Sequence, residues 1–387
     1  MDRVIYLDNA ASSWPKPPSV AKAMCEAVEN YAANPGRGAH QLALEASRQI
    51  YTCRVALAEL FGVGNPENII FTKNTTEALN IPILCFLKKG DHVLTTGVEH
   101  NSVIRPLEYL RQKGEITYSL VPTDEVGAVD LNQLEASLQA FPHTSLLIAS
   151  HASNVVGTVF PVEQACMLAK RYNVKVMIDG AQTAGVFNIP VEKWGIDFLA
   201  FPGHKGLLGP QGTGGLYINP EIDIPPLLFG GTGGNSESKE MPIVRPDRYE
   251  SGTLNTPGLA GLRAGVEYIR EQGIAVIHER EWKQTQTILQ KLRDMEHIEV
   301  YGPPIDQERA AVIAFNIRGI ESNEVAYMLD KIYNIAVRAG FHCSPVGHQT
   351  IKTLHKGVIR ISPGYFTTDQ EIETFIGAME EIIAELS

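Results

Sequence analysis

The sequence predicts an α/β protein built on a mostly parallel sheet, with a second, smaller α+β unit. Three observations carry this. Short apolar runs rich in β-branched residues alternate with amphipathic stretches of helical length, the pattern of βαβ units. Those runs are continuously apolar rather than alternating, as strands covered on both faces must be. After about residue 260 the texture changes to a long helical pattern and then a mixed region.

In chain order, the predicted strands are "NIIFT" (68–72), "DHVLTT" (91–96), "TSLLIAS" (144–150), "VKVMID" (174–179) and "DFLAF" (197–201). Amphipathic stretches such as "VEQACMLAKRY" (162–172) lie between them. The helical "GLAGLRAGVEYIREQG" opens the second unit, with strands expected near "AAVIAFNI" (310–317) and "GVIRISP" (357–363). The expected division is a large domain over 16–260 and a small one made of 1–15 and 261–387.

A chain of 387 residues, 44% hydrophobic and 20% charged, can bury one large core or two medium ones. Its net charge of -11 argues against a nucleic-acid or anionic-membrane partner, which would need clustered Lys and Arg. No apolar run reaches the roughly 18 residues that span a bilayer. The start, "MDRVIYLDNAASSWP", has neither a signal-peptide core nor an Arg-rich presequence. Five scattered cysteines without a C-x-x-C pair argue against a disulfide framework or a zinc site, so no metal is expected. The expectation is a soluble protein of a reducing compartment, the cytoplasm.

Ligands of open parallel sheets bind at the carboxyl ends of the strands, and several polar residues fall there. Asp179 closes "VKVMID" and leads into Gly180-Ala181-Gln182. Asn74 and Glu77 have capping-box spacing, which puts Thr75 and Thr76 in a first helical turn, where amides and hydroxyls suit a phosphate. His100 and Asn154 each follow a strand. Lys205 stands between an apolar run and the glycine-rich "GLLGPQGTGG". Singly, these residues read as a cap, a turn residue, satisfied polar groups and a surface lysine. Together they would converge on one rim. Pyridoxal 5'-phosphate fits that set: a desolvated lysine for its aldehyde, a buried carboxylate for its pyridine nitrogen, a flat imidazole over its ring and a phosphate cradle.

The motifs resemble those of class V, fold type I pyridoxal-phosphate enzymes, in the cysteine desulfurase and selenocysteine lyase branch. The resemblance runs along the whole chain: "YLDNAAS" (6–12), "TKNTTEALN" (72–80), "EHNS" (99–102), "HASNVVGT" (151–158), "IDGAQ" (178–182), "GHKGLLGPQGTG" (203–214), "YESGTLNTPG" (249–258) and "RAGFHC" (338–343). It implies a seven-stranded, mostly parallel sheet sandwiched by helices, plus the small α+β domain. It also implies Lys205 as the covalent anchor, Asp179 at the pyridine nitrogen, and His100 stacked on the ring and assisting proton transfer. Gln182 and Asn154 would lie near the ring hydroxyl. Thr75, Thr76 and His204 would hold the phosphate, joined by Gly252 and Thr253 of a second copy in a homodimer with shared active sites. Arg360 would take the substrate carboxylate, with Arg338, Asn154 and Ala11 nearby. An arginine in the apolar "GVIRIS" needs an anionic partner in any case, and a structural salt bridge would also satisfy it.

Cys343 selects the reaction. The other four cysteines sit in apolar or helical patterns and read as core fillers, whereas Cys343 lies in the polar "RAGFHCSPVGHQ". It matches the persulfide-forming cysteine of desulfurases, which implies that sulfur passes from L-cysteine to Cys343 with release of alanine, then to an acceptor protein or thiol.

Three residues depart from the family pattern. Pro202 stands where relatives often carry a hydroxyl residue that contacts the phosphate. Gly36 and Phe341 replace common histidines, which bears on substrate preference and acceptor. The rival readings are selenocysteine lyase, another class V aminotransferase or β-lyase, a dinucleotide oxidoreductase and a non-catalytic interaction protein. The oxidoreductase lacks a G-x-G-x-x-G near residues 5–30. The intact set of Lys205, Asp179 and His100 argues against the interaction protein.

Overall fold

The computed structural model describes residues 4–36, 38, 40–233 and 237–385. Among these, seven strands form the central sheet, in the spatial order Ile69–Thr72, Gly214–Ile218, Phe198–Pro202, Lys175–Asp179, Thr144–Ser150, His92–Thr96 and Thr117–Val121. Gly214–Ile218 runs antiparallel to both neighbours, and every other adjacent pair is parallel. All five predicted runs are strands of this sheet.

Their continuous apolarity has the expected cause, because successive residues of one strand feed opposite cores. Leu147, Val176, Ile178, Leu199 and Phe201 pack on one face, and Leu146, Ile148, Met177, Phe198 and Ala200 on the other. Helices Gln41–Phe61, Val162–Arg171 and Thr256–Gln272 cover the first face through residues such as Leu57, Ala165 and Leu262. Thr75–Cys85 and Asn101–Gln112 cover the second through Leu79, Val103 and Leu107. Each fully buried large aliphatic side chain contributes roughly 1.5–3 kcal/mol, which leaves little room for a polar residue on either face.

Two strands of the central sheet escaped the sequence reading. Gly214–Ile218 begins with two glycines because Phe201 occupies their side-chain space; a Cβ on Gly214 would come within 2.8 Å of the Phe201 carbonyl oxygen, and one on Gly215 would collide with the Phe201 ring. Thr117–Val121 is an edge strand with exposed Thr117 and Leu120, so it lacks the continuous apolar signature.

The second sheet is antiparallel, in the order Arg338–Gly340, Val358–Ile361, Ile313–Ile317, Ile298–Tyr301. Helices Ile274–Asp294 and Asp369–Ala384 pack on it through Ile288, Leu292, Phe375 and Met379. The start of the chain joins this unit, since Ile5–Tyr6 pairs in parallel with Ile335–Ala336 and Asp8 bridges to Ser362. Among the described residues no helix is long and apolar enough to cross a membrane.

One buried ion pair ties the "YESGT" segment to the sheet. Arg54 Nη1 and Nη2 donate to Glu250 Oε1 and Oε2 at 2.7 and 2.8 Å. Glu250 Oε1 also accepts the Phe71 N–H at 2.6 Å, Arg54 donates to the Ile69 carbonyl, and its guanidinium lies over the Phe71 ring. Removing one partner of such a pair strands a charge without solvent. Arg54→Met should therefore lower unfolding stability by about 3–5 kcal/mol, and adding Glu250→Leu should recover part of the loss. Urea denaturation followed by circular dichroism checks both.

Candidate active site

The carboxyl ends of the parallel strands and the starts of the helices that follow them frame an open recess. Asn74, Thr75, Thr76, His100, Ser102 and Asn154 line one part of it, with Asp179, Gln182, His204 and Lys205 completing the wall. Eight residues expected from the sequence therefore meet at one place: Thr75, Thr76, His100, Asn154, Asp179, Gln182, His204 and Lys205.

Thr75 and Thr76 open helix Thr75–Cys85, capped by Asn74 Oδ1 accepting the Glu77 N–H at 2.9 Å. The return half of the predicted capping box is displaced by one residue, because Glu77 Oε2 accepts from Lys73 N at 2.6 Å. The helix thus presents two hydroxyls and free first-turn amides to the recess.

Asp179 ends its strand and is buried. One carboxylate oxygen accepts the Ala181 N–H at 2.9 Å. Burial raises its pKa, while that N–H and the Lys205 charge pull it down. Lys205 follows strand Phe198–Pro202, and burial followed by the Arg360 charge brings its amine down to about 8. His100 is held down to about 4 by burial and then by the charges of Lys205, Arg338, Arg105 and Arg360. His204, also brought down to about 4 by burial, has Nδ1 buried with no hydrogen-bond partner.

The lysine segment is fixed from outside. Ser13 N and Lys16 Nζ donate to the His204 carbonyl at 3.0 and 2.7 Å, and Ser13 Oγ donates to the Lys205 carbonyl at 2.8 Å. Gln182 Nε2 donates to Ala10 O at 3.2 Å.

Arg338 and Arg360 face each other across two antiparallel strands. Arg360 pairs with Asp8 Oδ1 at 2.7 Å and donates to Asn154 O at 3.0 Å, so an internal carboxylate already holds one edge of its guanidinium, and its Nε is buried without a partner. Arg338 Nη2 lies 3.9 Å from Cys343 Sγ. Cys343 is exposed on a loop where His342 and Cys343 both have positive φ, 47° and 58°. Three contacts pin that loop to the recess. Asn101 N donates to Cys343 O at 2.7 Å, Asn154 Nδ2 to His342 O at 2.7 Å, and Ser344 Oγ to Glu99 O at 2.8 Å.

Arg338, Arg360 and Cys343 do not line the recess itself, and three further expected residues stand apart from it. Ala11 does not line the recess; its N–H donates to Asp8 O at 3.1 Å, and its neighbour Ala10 faces a second cavity behind Lys205. Gly252 and Thr253 line a separate open groove with Tyr51, Arg54 and Asp247. Two residues of the site were missed. Ser102 lines the recess, two positions past His100, a spacing that puts it in the same first helical turn. Glu99 is fully buried, accepts from Thr96 Oγ1, Ser150 N and Ser150 Oγ, and is raised by burial to about 7. A glutamate beside a candidate histidine was the available signal.

Comparison with known proteins places this arrangement. The family model described as aminotransferase class-V matches residues 5–375. Probable cysteine desulfurases of Methanothermobacter thermautotrophicus and Pyrococcus abyssi are both 36% identical. Those alignments cover 98% and 99% of this chain, and 94% and 95% of the relatives. The apo structure of a cysteine desulfurase from Thermococcus onnurineus superimposes with a TM-score of 0.92 at 35% identity, covering 99% of this chain and 95% of that one. A cysteine desulfurase from Escherichia coli gives 0.87 at 25% identity, with 99% and 95% covered. By sequence along nearly its full length, and by the fold that carries the recess, the chain belongs to the class-V aminotransferase family.

Proposed function

We propose that the chain is a cysteine desulfurase that uses pyridoxal 5'-phosphate, releases L-alanine from L-cysteine and carries the sulfur as a persulfide on Cys343. The observation that carries this reading is the Cys343 loop itself. An exposed thiol, beside the Arg338 guanidinium, is hydrogen-bonded through its own carbonyl to Asn101, the residue next to His100. Its relatives of similar length bear the same activity in their names.

The residues present fit the cofactor. Buried His204 Nδ1 lacks a partner beside two threonine hydroxyls and the first-turn amides, a donor set that suits a phosphate. Asp179, deep in the recess, suits a protonated pyridine nitrogen, and the Lys205 amine suits an aldehyde. When bound, the cofactor supplies an electron sink for a carbanion at the substrate α-carbon.

The chain's own groups do the rest. Lys205, with its amine lowered to about 8, moves protons near neutral pH. His100 is neutral, with Nδ1 engaged by the Ser102 amide, so Nε2 carries its proton. Arg360 offers its unpartnered Nε, assisted by Arg338, to the substrate carboxylate. Cys343 thiolate attacks the substrate sulfur. The S–S bond forms as the carbon–sulfur bond breaks, and the electron pair stays with the substrate carbon, which takes a proton and leaves as alanine. A thiol or acceptor protein then collects the outer sulfur.

In this reading residues 16–260 form the cofactor-binding domain, and 1–15 with 261–387 form the small domain that presents Cys343. Gly252 and Thr253 lie outside their own recess, and Leu42, Leu44 and Tyr51 are exposed on helix Gln41–Phe61. Both facts support a homodimer in which Gly252 and Thr253 of a second copy complete the phosphate site. Five free cysteines support a cytoplasmic location.

Cys343→Ala should keep the visible absorbance of the bound cofactor while alanine formation falls at least about hundredfold, as for loss of a nucleophile. A cysteine-plus-reductant assay reading alanine and sulfide checks this, and unchanged alanine formation would sink the persulfide role. Burial has lowered the Lys205 amine, so its reactive neutral form gains as pH rises toward about 8 and saturates above. Cofactor uptake by the stripped protein should accelerate roughly tenfold per pH unit below that point and level off beyond it. A rate still climbing at pH 10 would mean the amine is not desolvated.

A further inference from the structure

His100 caps helix Asn101–Gln112 with a ring nitrogen. Its Nδ1 accepts the Ser102 N–H at 3.0 Å. A backbone amide can only donate, so Nδ1 carries no proton and its lone pair is engaged. The Ser102 hydroxyl lies 2.9 Å from the same Nδ1 and 2.8 Å from Thr76 Oγ1. Because Nδ1 carries no proton, the hydroxyl is the donor in that contact, and since the amide also serves Nδ1 the hydroxyl can turn its proton to another acceptor. Ser102 is only 8% exposed, and it lines the recess together with Thr75, Thr76, His204 and Lys205.

Two helices therefore begin side by side, Thr75–Cys85 and Asn101–Gln112, each with a hydroxyl at its second residue, and the two hydroxyls touch. Pro202, which ends strand Phe198–Pro202 two residues before His204, has neither a hydroxyl nor an N–H to offer.

We propose that Ser102 Oγ is a ligand of the cofactor phosphate, a hydroxyl donor offered from a helix start beside that of Thr76. The proposal rests on the pyridoxal 5'-phosphate reading. The Thr76 and Ser102 hydroxyls would donate hydrogen bonds to a bound phosphate, while the Ser102 amide would go on holding His100 Nδ1. Cofactor anchoring and the orientation of the stacking imidazole then share one residue.

Ser102→Ala separates the two roles, because it deletes the hydroxyl and leaves the amide that caps the helix. The full-length protein, stripped of cofactor, is titrated with pyridoxal 5'-phosphate and with pyridoxal, following the visible absorbance. The dissociation constant for pyridoxal 5'-phosphate should rise about 10–100-fold, the range for a hydrogen bond to a charged group. Pyridoxal, which lacks the phosphate, should bind the parent and the variant alike. Inorganic phosphate should compete with cofactor uptake more strongly in the parent than in the variant. An unchanged affinity for pyridoxal 5'-phosphate, or equal losses for both ligands, overturns the role of Ser102. A parent protein that colours with neither ligand overturns the cofactor reading itself, so the two failures are distinguishable.

Discussion

Holding an amine out of water is the constraint around which this molecule is built. A lysine leaving a core strand would ordinarily swing to solvent, and keeping it inside favours its neutral form at the expense of stability. The backbone around it is therefore over-determined. Ser13 and Lys16 grip the carbonyls of His204 and Lys205 from the start of the chain. The glycines flanking the lysine are there for space: a Cβ on Gly203 would collide with Thr213, one on Gly206 would meet Ala184 O at 2.6 Å, and one on Gly209 would meet Gly203 O at 2.9 Å. The tight loop and the desolvated amine are one feature.

The second half of the chain is brought to that amine by polar contacts of very long sequence separation. Asn101 with Cys343, Glu99 with Ser344, and Asn154 with both His342 and Arg360 stitch the cysteine loop to the strand ends. Two consecutive non-glycine residues at positive φ cost conformational energy, and those contacts hold them there. Glu99 sits beneath this seam, its carboxyl bonded to Thr96 and Ser150 and its carbonyl to Ser344. It couples the strand that delivers His100 to the loop that delivers the thiol.

What the sequence disclosed follows the range of the interaction involved. Strands with continuous apolar cover and the Asn74 cap are written in neighbouring residues, and both could be read. Gly214–Ile218 could not, because its glycines answer to Phe201 on the adjacent strand. The Arg54–Glu250 pair, 196 residues apart, leaves no local trace. Ser102 went unread because what distinguishes it, the contact with Thr76 Oγ1, is made between the starts of two different helices. Arg360 was identified as needing an anion, and the structure shows Asp8 already beside it, a partner at the other end of the chain.

Charge makes the same point at the scale of the site. The chain carries a net -11, yet Lys205, Arg338 and Arg360 lie close enough together to lower the lysine's pKa, with Asp8 and Asp179 opposing them. Global charge governs solubility and encounter, while a recess follows its own few groups. Around Thr75, Thr76 and Ser102 the nearby imidazoles, His100 and His204, are both neutral at physiological pH, and among the described residues Lys205 is the only cation lining the recess. An anion there is held by neutral donors, amides and hydroxyls, each taking a larger share of its stabilisation than it would beside an arginine. That is why a single serine hydroxyl at a helix start would carry weight here out of proportion to its size.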